Sequence, residues 1–283
     1  MIYAHFLRYP EGRAKAVTFS YDDGCPQDKR LAALFDRFGV KGTFNFTARP
    51  HHTKEEIHEL FLAKGHEIAV HGAQHRANGN NRIVDGIRDV LDCRLVLEGL
   101  TDRIIRGMAY PDSGIRLMGR PGNTYEKIKN YLEELDIVYA RTVGEDHSFE
   151  LPSDFHTWFP TLHHGDPRIF DWIDEFFAID TSIKAYHSRR TPRLFYIWGH
   201  SYEFDRDNNW EHMEKVLEKI SGHDEVWYAT NMEIYEYVKA YESLEYSADG
   251  FHVYNPTLIP VWIDIGGDVY RIGSGESVRI QDK

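Results

Sequence analysis

The chain has 283 residues, with 33 basic and 45 acidic side chains, so its formal net charge is −12 when the histidines are neutral. Apolar residues make up 42% of the chain and charged residues 28%, a composition that is typical of globular proteins and excludes a disordered one. The acidic charge argues against nucleic acid or an anionic membrane as the partner, because both require a basic face. No apolar run approaches the roughly 18 residues of a membrane-spanning helix.

The N-terminal segment lacks the basic and apolar regions of a signal peptide. Unless a leader has been removed, we therefore expect a cytoplasmic protein. Cys25 and Cys93 are the only cysteines, which is too few for a disulfide scaffold, and we expect both to be reduced.

Short β-rich runs alternate with helical patterns over the first 240 residues. In chain order, the predicted elements are a strand over 16–21, a helix over about 26–38, a strand over 40–47, a helix over 53–65, a strand over 66–70, a helix over about 82–97, a strand over 103–109, a capped helix beginning at 123–126, a strand over 137–141, a helix over about 167–177, a strand over 193–198, a helix over about 210–220, a strand over 225–228 and a helix over about 232–241. This alternation predicts a parallel sheet with helices outside it. The number of strands favours a barrel, although an open sheet fits nearly as well.

The pattern changes after about residue 242. Gly, Asn and Pro turn signals separate short apolar runs, which lie at 251–254, 259–265, 269–272 and 277–280. No helical period remains in this segment. We therefore predict an α/β domain over 1–242 and a small antiparallel β appendage over 243–283.

Polar residues collect at the carboxyl ends of four predicted strands, which is where chemistry occurs in parallel α/β folds. The four clusters are Asp22-Asp23-Gly24, His71-Gly72-Ala73-Gln74-His75, Arg106 with Tyr110-Pro111, and Gly199-His200-Ser201-Tyr202-Glu203. Each cluster alone has an ordinary structural explanation, such as a turn, a solvated histidine pair or a paired arginine. Because all four fall at the same end of the sheet, we interpret them as parts of one active site.

The residue types in these clusters suit hydrolysis at a divalent metal. One Asp and two neutral His form a ligand set that leaves positions open for water and substrate. A bound Zn²⁺ lowers the pKa of its water to about 7. A second carboxylate can then take a proton, and a further His can protonate a departing nitrogen.

Two of these segments resemble motifs of the polysaccharide deacetylase family, which comprises the NodB-homology domain or carbohydrate esterase family 4 enzymes. Ser20-Tyr21-Asp22-Asp23-Gly24 is similar to the TFDDG motif of the family, and residues 64–75 are similar to its GHEIxxH(S/T)xxH motif. Residues 34–46 look like the helix and strand that connect the two. The resemblance covers about residues 14–240 and implies a distorted (β/α)7-type barrel of the NodB-like kind.

The resemblance also implies a role for each matching residue. These roles are general base for Asp22, metal ligands for Asp23, His71 and His75, orientation of the base for Arg106, and general acid for His200. A backbone N–H near Tyr110 would help to hold the oxyanion. The implied metal is Zn²⁺, with Co²⁺, Ni²⁺ and Fe²⁺ as alternatives.

The match with the family weakens towards the C-terminus. The segment from Arg106 to Pro111 has one more residue between Arg and Tyr than the RxPYG motif, and its proline follows the tyrosine. Gly72 stands where the family has a hydroxyl residue, and aromatic residues flank Ile197 in the last motif.

The residues that would contact a sugar are less well defined by sequence. Asp154 and Trp158 are the candidates for the fourth motif, and Trp158 is a candidate stacking surface. Glu203 is expected either to bind a sugar hydroxyl or amine or to pair with Arg206. We expect the pair at 163–164 to lie on the surface.

The predicted function is the metal-dependent removal of N-acetyl groups from an N-acetylated sugar or polysaccharide, by metal-activated water with an Asp base and a His acid. One alternative is hydrolysis of an O-acetyl ester or of a small non-sugar amide at the same centre. Another is a catalytically silent protein that binds glycan. The β appendage is compatible with a homo-oligomer in either case.

Overall fold

The computed structural model describes residues 4–182 and 190–280. The strands are β1 (His5–Arg8), β2 (Lys15–Asp23), β3 (Thr43–Phe46), β4 (Glu67–Val70), β5 (Gly107–Ala109), β6 (Tyr139–Arg141), β7 (Leu162–His163), β8 (Arg193–Gly199), β9 (Val226–Tyr228), β10 (Glu245–Tyr246), β11 (His252–Tyr254), β12 (Val261–Ile265), β13 (Asp268–Ile272) and β14 (Ser277–Arg279). The α-helices are α1 (Asp28–Phe38), α2 (Lys54–Glu56), α3 (Ile83–Thr101), α4 (Tyr125–Glu134), α5 (Ile169–Ala178), α6 (Tyr202–Arg206), α7 (Trp210–Ile220) and α8 (Asn231–Glu242). None of these helices combines the length and the apolar character that crossing a membrane requires.

Within the described ranges, eight parallel strands form the central sheet, in the order β6-β5-β4-β3-β2-β8-β7, with β9 also paired to β2. Strand β9 pairs with residues 15–17 of β2, and β3 pairs with residues 20–23. A parallel bridge joins Arg141, at the end of β6, to Trp158, and the chain then leads from Trp158 into β7. The sheet therefore curls round towards closure. The predicted α/β fold, a distorted (β/α)7-type barrel with helices outside the sheet, is confirmed.

Strand β2 crosses the middle of the sheet and is buried along almost its whole length. Such a strand is expected to read as a nearly continuous run of apolar and small residues, because both of its faces are covered. Phe19 and Tyr21 pack in the core between the sheet and its helices. Side chains alternate along a strand, so Ser20 and Asp22 point to the opposite face, into the barrel. This alternation directs the Asp22 carboxylate into the barrel.

One predicted helix is irregular in the structure. The capping box between Thr53 and Glu56 forms as its sequence predicts. The α-helical turn then widens into a π-helix over Ile57–Phe61 and tightens into a 3-10 turn over Leu62–Lys64. The segment ends at Gly65, where a left-handed backbone turns the chain into β4.

Two small antiparallel sheets complete the fold, with the strand orders β1-β12-β13 and β10-β11-β14. The predicted antiparallel appendage is confirmed, and it also includes the N-terminal strand. Strand β1 pairs with β12 from His5 opposite Ile265 to Arg8 opposite Trp262. The division into 1–242 and 243–283 stays a prediction, and both predicted domains extend beyond the described residues, at 1–3, 183–189 and 281–283.

Candidate active site and metal centre

Three of the predicted polar clusters meet at the carboxyl end of the parallel sheet. Asp22 and Asp23 end β2, His71 directly follows β4, and His200 directly follows β8. The Nε2 atom of His71 lies 3.8 Å from Asp22 Oδ2, and the Nε2 atom of His200 lies 4.0 Å from Asp23 Oδ2. Residues that are far apart in sequence therefore surround one small space.

Asp23, His71 and His75 have the spacing of metal ligands. The Oδ1 atom of Asp23 lies 3.5 Å from His71 Nε2 and 3.4 Å from His75 Nε2. These distances are at or beyond the upper limit of a hydrogen bond. Two ligand atoms that are each about 2.1 Å from a tetrahedral ion lie roughly 3.4 Å apart. The donor types and their spacing therefore fit a divalent metal ion.

A second contact orients the ring of His71. Its Nδ1 atom lies 3.0 Å from the carbonyl oxygen of Ala109, at the end of β5. A carbonyl oxygen can only accept, so the hydrogen is on Nδ1 and the lone pair of Nε2 faces Asp23. Burial lowers the pKa of His71, against the opposing effect of Asp22 and Asp23. The neutral imidazole that a metal requires is therefore the favoured form.

The turn between the two histidines depends on Gly72. Its φ angle is +76°, and a Cβ atom there would lie 2.3 Å from Asp89 Oδ2. Asp89, on α3, accepts a hydrogen bond of 2.6 Å from the backbone N–H of Gln74. The Asp89 carboxylate that fixes the turn therefore occupies the space that the Cβ atom of a serine or threonine would need. This explains the glycine at this position.

Asp22 is buried and held by two donors. Asn45 Nδ2 donates to Oδ1 at 2.8 Å, and the guanidinium of Arg141 donates to Oδ2. Burial alone would raise the pKa of Asp22, but Arg141, His71 and His200 hold it below its ordinary value. Asp22 is therefore ionised at neutral pH, as a general base must be.

The predicted position of Arg106 in the site is wrong. Arg106 precedes β5, at the amino ends of the strands, where it lines a cavity with His66 and Glu67. The arginine beside Asp22 is Arg141, whose guanidinium also lies 4.5 Å from the ring centre of Trp198. Arg141 ends a strand that the sequence predicts at 137–141, and this strand-end position is the one signal in the sequence that points to it.

Tyr110 does not offer the predicted oxyanion donor. Its backbone N–H donates to the carbonyl of Arg141 at 2.9 Å, as part of the pairing between β5 and β6. Its side chain is fully buried, and its hydroxyl donates to the carbonyl of His156 at 3.0 Å. The residue that follows is Pro111, which has no N–H. Tyr110 therefore supports the sheet and has no free donor for substrate.

The predicted contact of Trp158 with sugar is also wrong. Its side chain is 1% exposed and makes edge-to-face contacts with Tyr139, Phe155 and Tyr196 in the core. Its bridge to Arg141 places it within the curled sheet, where a sugar cannot reach. Asp154, the other fourth-motif candidate, is held by Tyr125 and Lys129 of α4 instead.

His200 faces Asp23 with one ring nitrogen and Glu203 with the other. Its Nδ1 atom lies 3.8 Å from Glu203 Oε1, on the first turn of α6. Burial lowers the pKa of His200, but Glu203, Asp22 and Asp23 together outweigh it, so that the pKa is raised. The protonated form, which a general acid requires, is thereby favoured.

Glu203 is bound by histidines on its other side. Its Oε2 atom lies 2.9 Å from His163 Nε2 and 3.3 Å from His164 Nε2, whereas Arg206 is 3.6 Å from Oε1. His164 is buried and stacks on Tyr21, so the expectation that this histidine pair lies on the surface is wrong. The Glu203 carboxylate is therefore engaged by protein groups on both sides, which favours a role in holding these histidines over contact with a sugar.

A curled parallel sheet with an Asp-His-His set and a buried aspartate at its carboxyl ends defines the class of NodB-like α/β barrels. The sequence profile described as "Polysaccharide deacetylase" matches residues 9–138. Over this region the chain matches the polysaccharide deacetylase family, and the resemblance seen in the sequence is confirmed. The match includes Asp22, Asp23, His71 and His75 but ends before Arg141 and His200.

Solved structures share the fold at low sequence identity. An allantoinase, PuuE, is 16% identical, with 81% of this chain and 91% of that chain covered and a TM-score of 0.59. A candidate polysaccharide deacetylase from Pseudomonas aeruginosa PAO1 is 18% identical, with coverages of 81% and 92% and a TM-score of 0.58. Another, from Mycobacterium smegmatis, is 18% identical, with coverages of 84% and 95% and a TM-score of 0.56. No curated protein matches the chain.

Proposed function

We propose that the protein is a metal-dependent hydrolase that removes N-acetyl groups from an N-acetylated sugar or polysaccharide. The observation that carries the proposal is the placement of an ionised, buried Asp22 beside three side chains at the spacing of metal ligands. The match of residues 9–138 to the polysaccharide deacetylase profile supports the choice of acetyl group and carbohydrate.

Asp23, His71 and His75 would hold the metal, most simply Zn²⁺. When bound, such an ion supplies Lewis-acid polarisation and activates water. Three protein ligands leave coordination positions open for the water and for the substrate. Because the Tyr110 amide is paired within the sheet, the proposal includes no oxyanion donor at that residue.

Asp22 and His200 would move the protons. Asp22 accepts the proton of the attacking water, and Asn45 and Arg141 fix its carboxylate so that it cannot turn away. His200 presents Nε2 towards Asp23 while Nδ1 faces Glu203, so Nε2 is the atom that would donate to the departing amine. Each such proton transfer contributes roughly 10²–10⁴-fold to the rate.

The test combines metal content with acetate release. Protein loaded with Zn²⁺ and freed of excess metal is expected to retain about one equivalent, as one three-ligand site implies, and His71→Ala and His75→Ala to lose it. The exposed His252 provides the control variant His252→Ala. No retained metal in the wild-type protein would refute the proposed centre and leave a silent glycan-binding protein as the alternative.

Acetate release is then measured on N-acetylated oligosaccharides, on O-acetylated ones and on a small non-sugar amide. Asp22→Asn should abolish turnover and keep the metal, whereas Asp85→Asn, on the surface of α3, should change neither. Activity on esters or small amides alone would contradict the N-acetyl sugar assignment and retain the centre.

A further inference from the structure

The amino ends of the central strands surround a cavity that the proposed reaction does not use. Its volume is about 300 Å³, and its walls come from the segments that lead into β3, β4 and β5 and from the start of α8. Ile68, a lining residue on β4, lies three positions before His71, or about 10 Å of extended chain. The cavity and the candidate metal centre are therefore at opposite ends of the sheet.

Part of the cavity wall is apolar. Leu62, Ile68 and Ile105 line it and are themselves buried, and Met232 contributes from the first turn of α8. Ile104 also lines the cavity and is 76% exposed. A ligand with an apolar body would remove this surface from water, which favours binding.

The charged side chains around the cavity are three cations and two carboxylates, in a chain whose net charge is −12. Lys41 is paired with Glu233. Across residues 4–182 and 190–280, Arg103 and Arg106 form no ion pair with a carboxylate. Two guanidinium groups that pair with no carboxylate, at one cavity, favour an anionic ligand.

The carboxylates at the cavity are already committed to protein donors. Glu67 accepts hydrogen bonds from the Tyr139 hydroxyl at 2.7 Å and from the backbone N–H of Met232 at 2.9 Å. Glu233 accepts one of 2.9 Å from the backbone N–H of Thr230, the residue that caps α8. Both carboxylates therefore have protein partners of their own.

We propose that this cavity binds a small organic anion with an apolar body, whose carboxylate or phosphate group is held by Arg103 and Arg106. Arginine suits both groups because its planar fork can make two parallel hydrogen bonds to either. The apolar wall sets the second requirement, since a bare inorganic anion would leave it uncovered.

The test is titration calorimetry with benzoate, phenyl phosphate and the neutral analogue benzyl alcohol. We expect at least one anion to bind and Arg106→Gln and Arg103→Gln each to weaken it at least about tenfold, as loss of a charged hydrogen bond implies. The exposed Arg88 of α3 provides the control Arg88→Gln, which should leave affinity unchanged. Glu233→Gln removes a repelling charge and should strengthen binding.

Carboxylates and phosphates can also bind a metal centre, so the titrations are repeated with Asp23→Asn. Retention of anion binding in this variant supports the proposed cavity, and loss in this variant alone overturns it. Failure of both anions to bind, equal binding of benzyl alcohol, or full affinity in Arg106→Gln would each overturn it too. Whichever anion binds more tightly identifies the preferred charged group.

Discussion

Arg141, at the end of the edge strand β6, donates a hydrogen bond to the buried carboxylate of Asp22, at the end of the central strand β2. The two residues are 119 positions apart in sequence, and both are nearly inaccessible to solvent. A buried carboxylate stays ionised only if a partner compensates for its lost hydration. Arg141 is therefore the residue on which the ionisation of Asp22 depends most directly.

Arg141→Met should reduce kcat about 10²-fold or more, because it removes the group that orients and ionises the base. Since Arg141 lowers the pKa of Asp22, its loss should raise that pKa and move the acidic limb of the pH–rate profile to higher pH. The measurement is acetate release against pH. Arg141→Lys should recover part of the rate and of the shift, because it restores a positive charge.

The matched control for this prediction is Arg106→Met. Arg106 lies at the other end of the sheet, so this variant should keep the wild-type rate and pH profile. Circular dichroism establishes that both variants fold. An unchanged acidic limb in a folded Arg141→Met protein would contradict the role of Arg141.

Glu203 should control the other limb of the same profile. It faces His200 Nδ1 and contributes to raising the pKa of that histidine against the effect of burial. In Glu203→Gln the pKa of His200 should fall. The general acid then loses its proton at lower pH, so the alkaline limb of the pH–rate profile moves to lower pH. The acidic limb should stay in place, and the control Glu211→Gln, at an exposed residue, should move neither.

The site residues that the amino-acid sequence predicts correctly lie in short contiguous motifs. Asp22 and Asp23, or His71 and His75, are brought together by one strand end or one turn, so local spacing defines their geometry. No local motif indicates Arg141, because its contact with Asp22 depends on the curl of the sheet, which brings the end of β6 to the end of β2.

The errors in burial have a related cause. Trp158 and His164 follow loops, and nothing local shows that the chain there bridges β6 and pairs with β8 to continue the curled sheet. Strand β1 was not predicted either, since its partner β12 lies more than 250 residues away. Strand alternation indicates which face a residue occupies, but barrel closure determines which face is covered.

Glu67 should make the stability of the protein depend on pH. Burial raises its pKa to about 7 from an ordinary 4.5, against the hydrogen bonds from Tyr139, Met232 and Thr43. Between these two pH values Glu67 has released its proton in the unfolded chain and still holds it in the folded chain. Stability should therefore fall as pH rises from about 4.5 to 7, by up to about 3 kcal/mol.

Glu67→Gln should remove this component, because an amide keeps acceptor capacity and does not titrate. The measurement is urea unfolding of both proteins at several pH values across the window. The exposed Glu59 provides the control Glu59→Gln, which should follow the wild type. Parallel curves for the wild type and Glu67→Gln would show that Glu67 ionises normally.

Asp264 should be the most sensitive single position in the appendage. Its buried carboxylate pairs with Arg8 at 2.7 Å and with Arg190, and accepts a hydrogen bond from the backbone N–H of Gly267. Asp264→Ala would leave two buried guanidinium groups without a counter-charge, at a cost of about 3–5 kcal/mol. The exposed pair of Lys239 and Glu242 offers the control Glu242→Ala, which should cost less than about 1 kcal/mol.

The same contact bears on the proposed division at residue 242. A chain ending there would lose Asp264 and the whole of β12, so β1 would keep no sheet partner and Arg8 no carboxylate. We therefore expect the truncated chain to be less stable than Asp264→Ala by urea unfolding, and its mass in solution to report aggregation and not a smaller native oligomer. A truncated protein as stable as the full chain would show that 1–242 folds independently of the appendage.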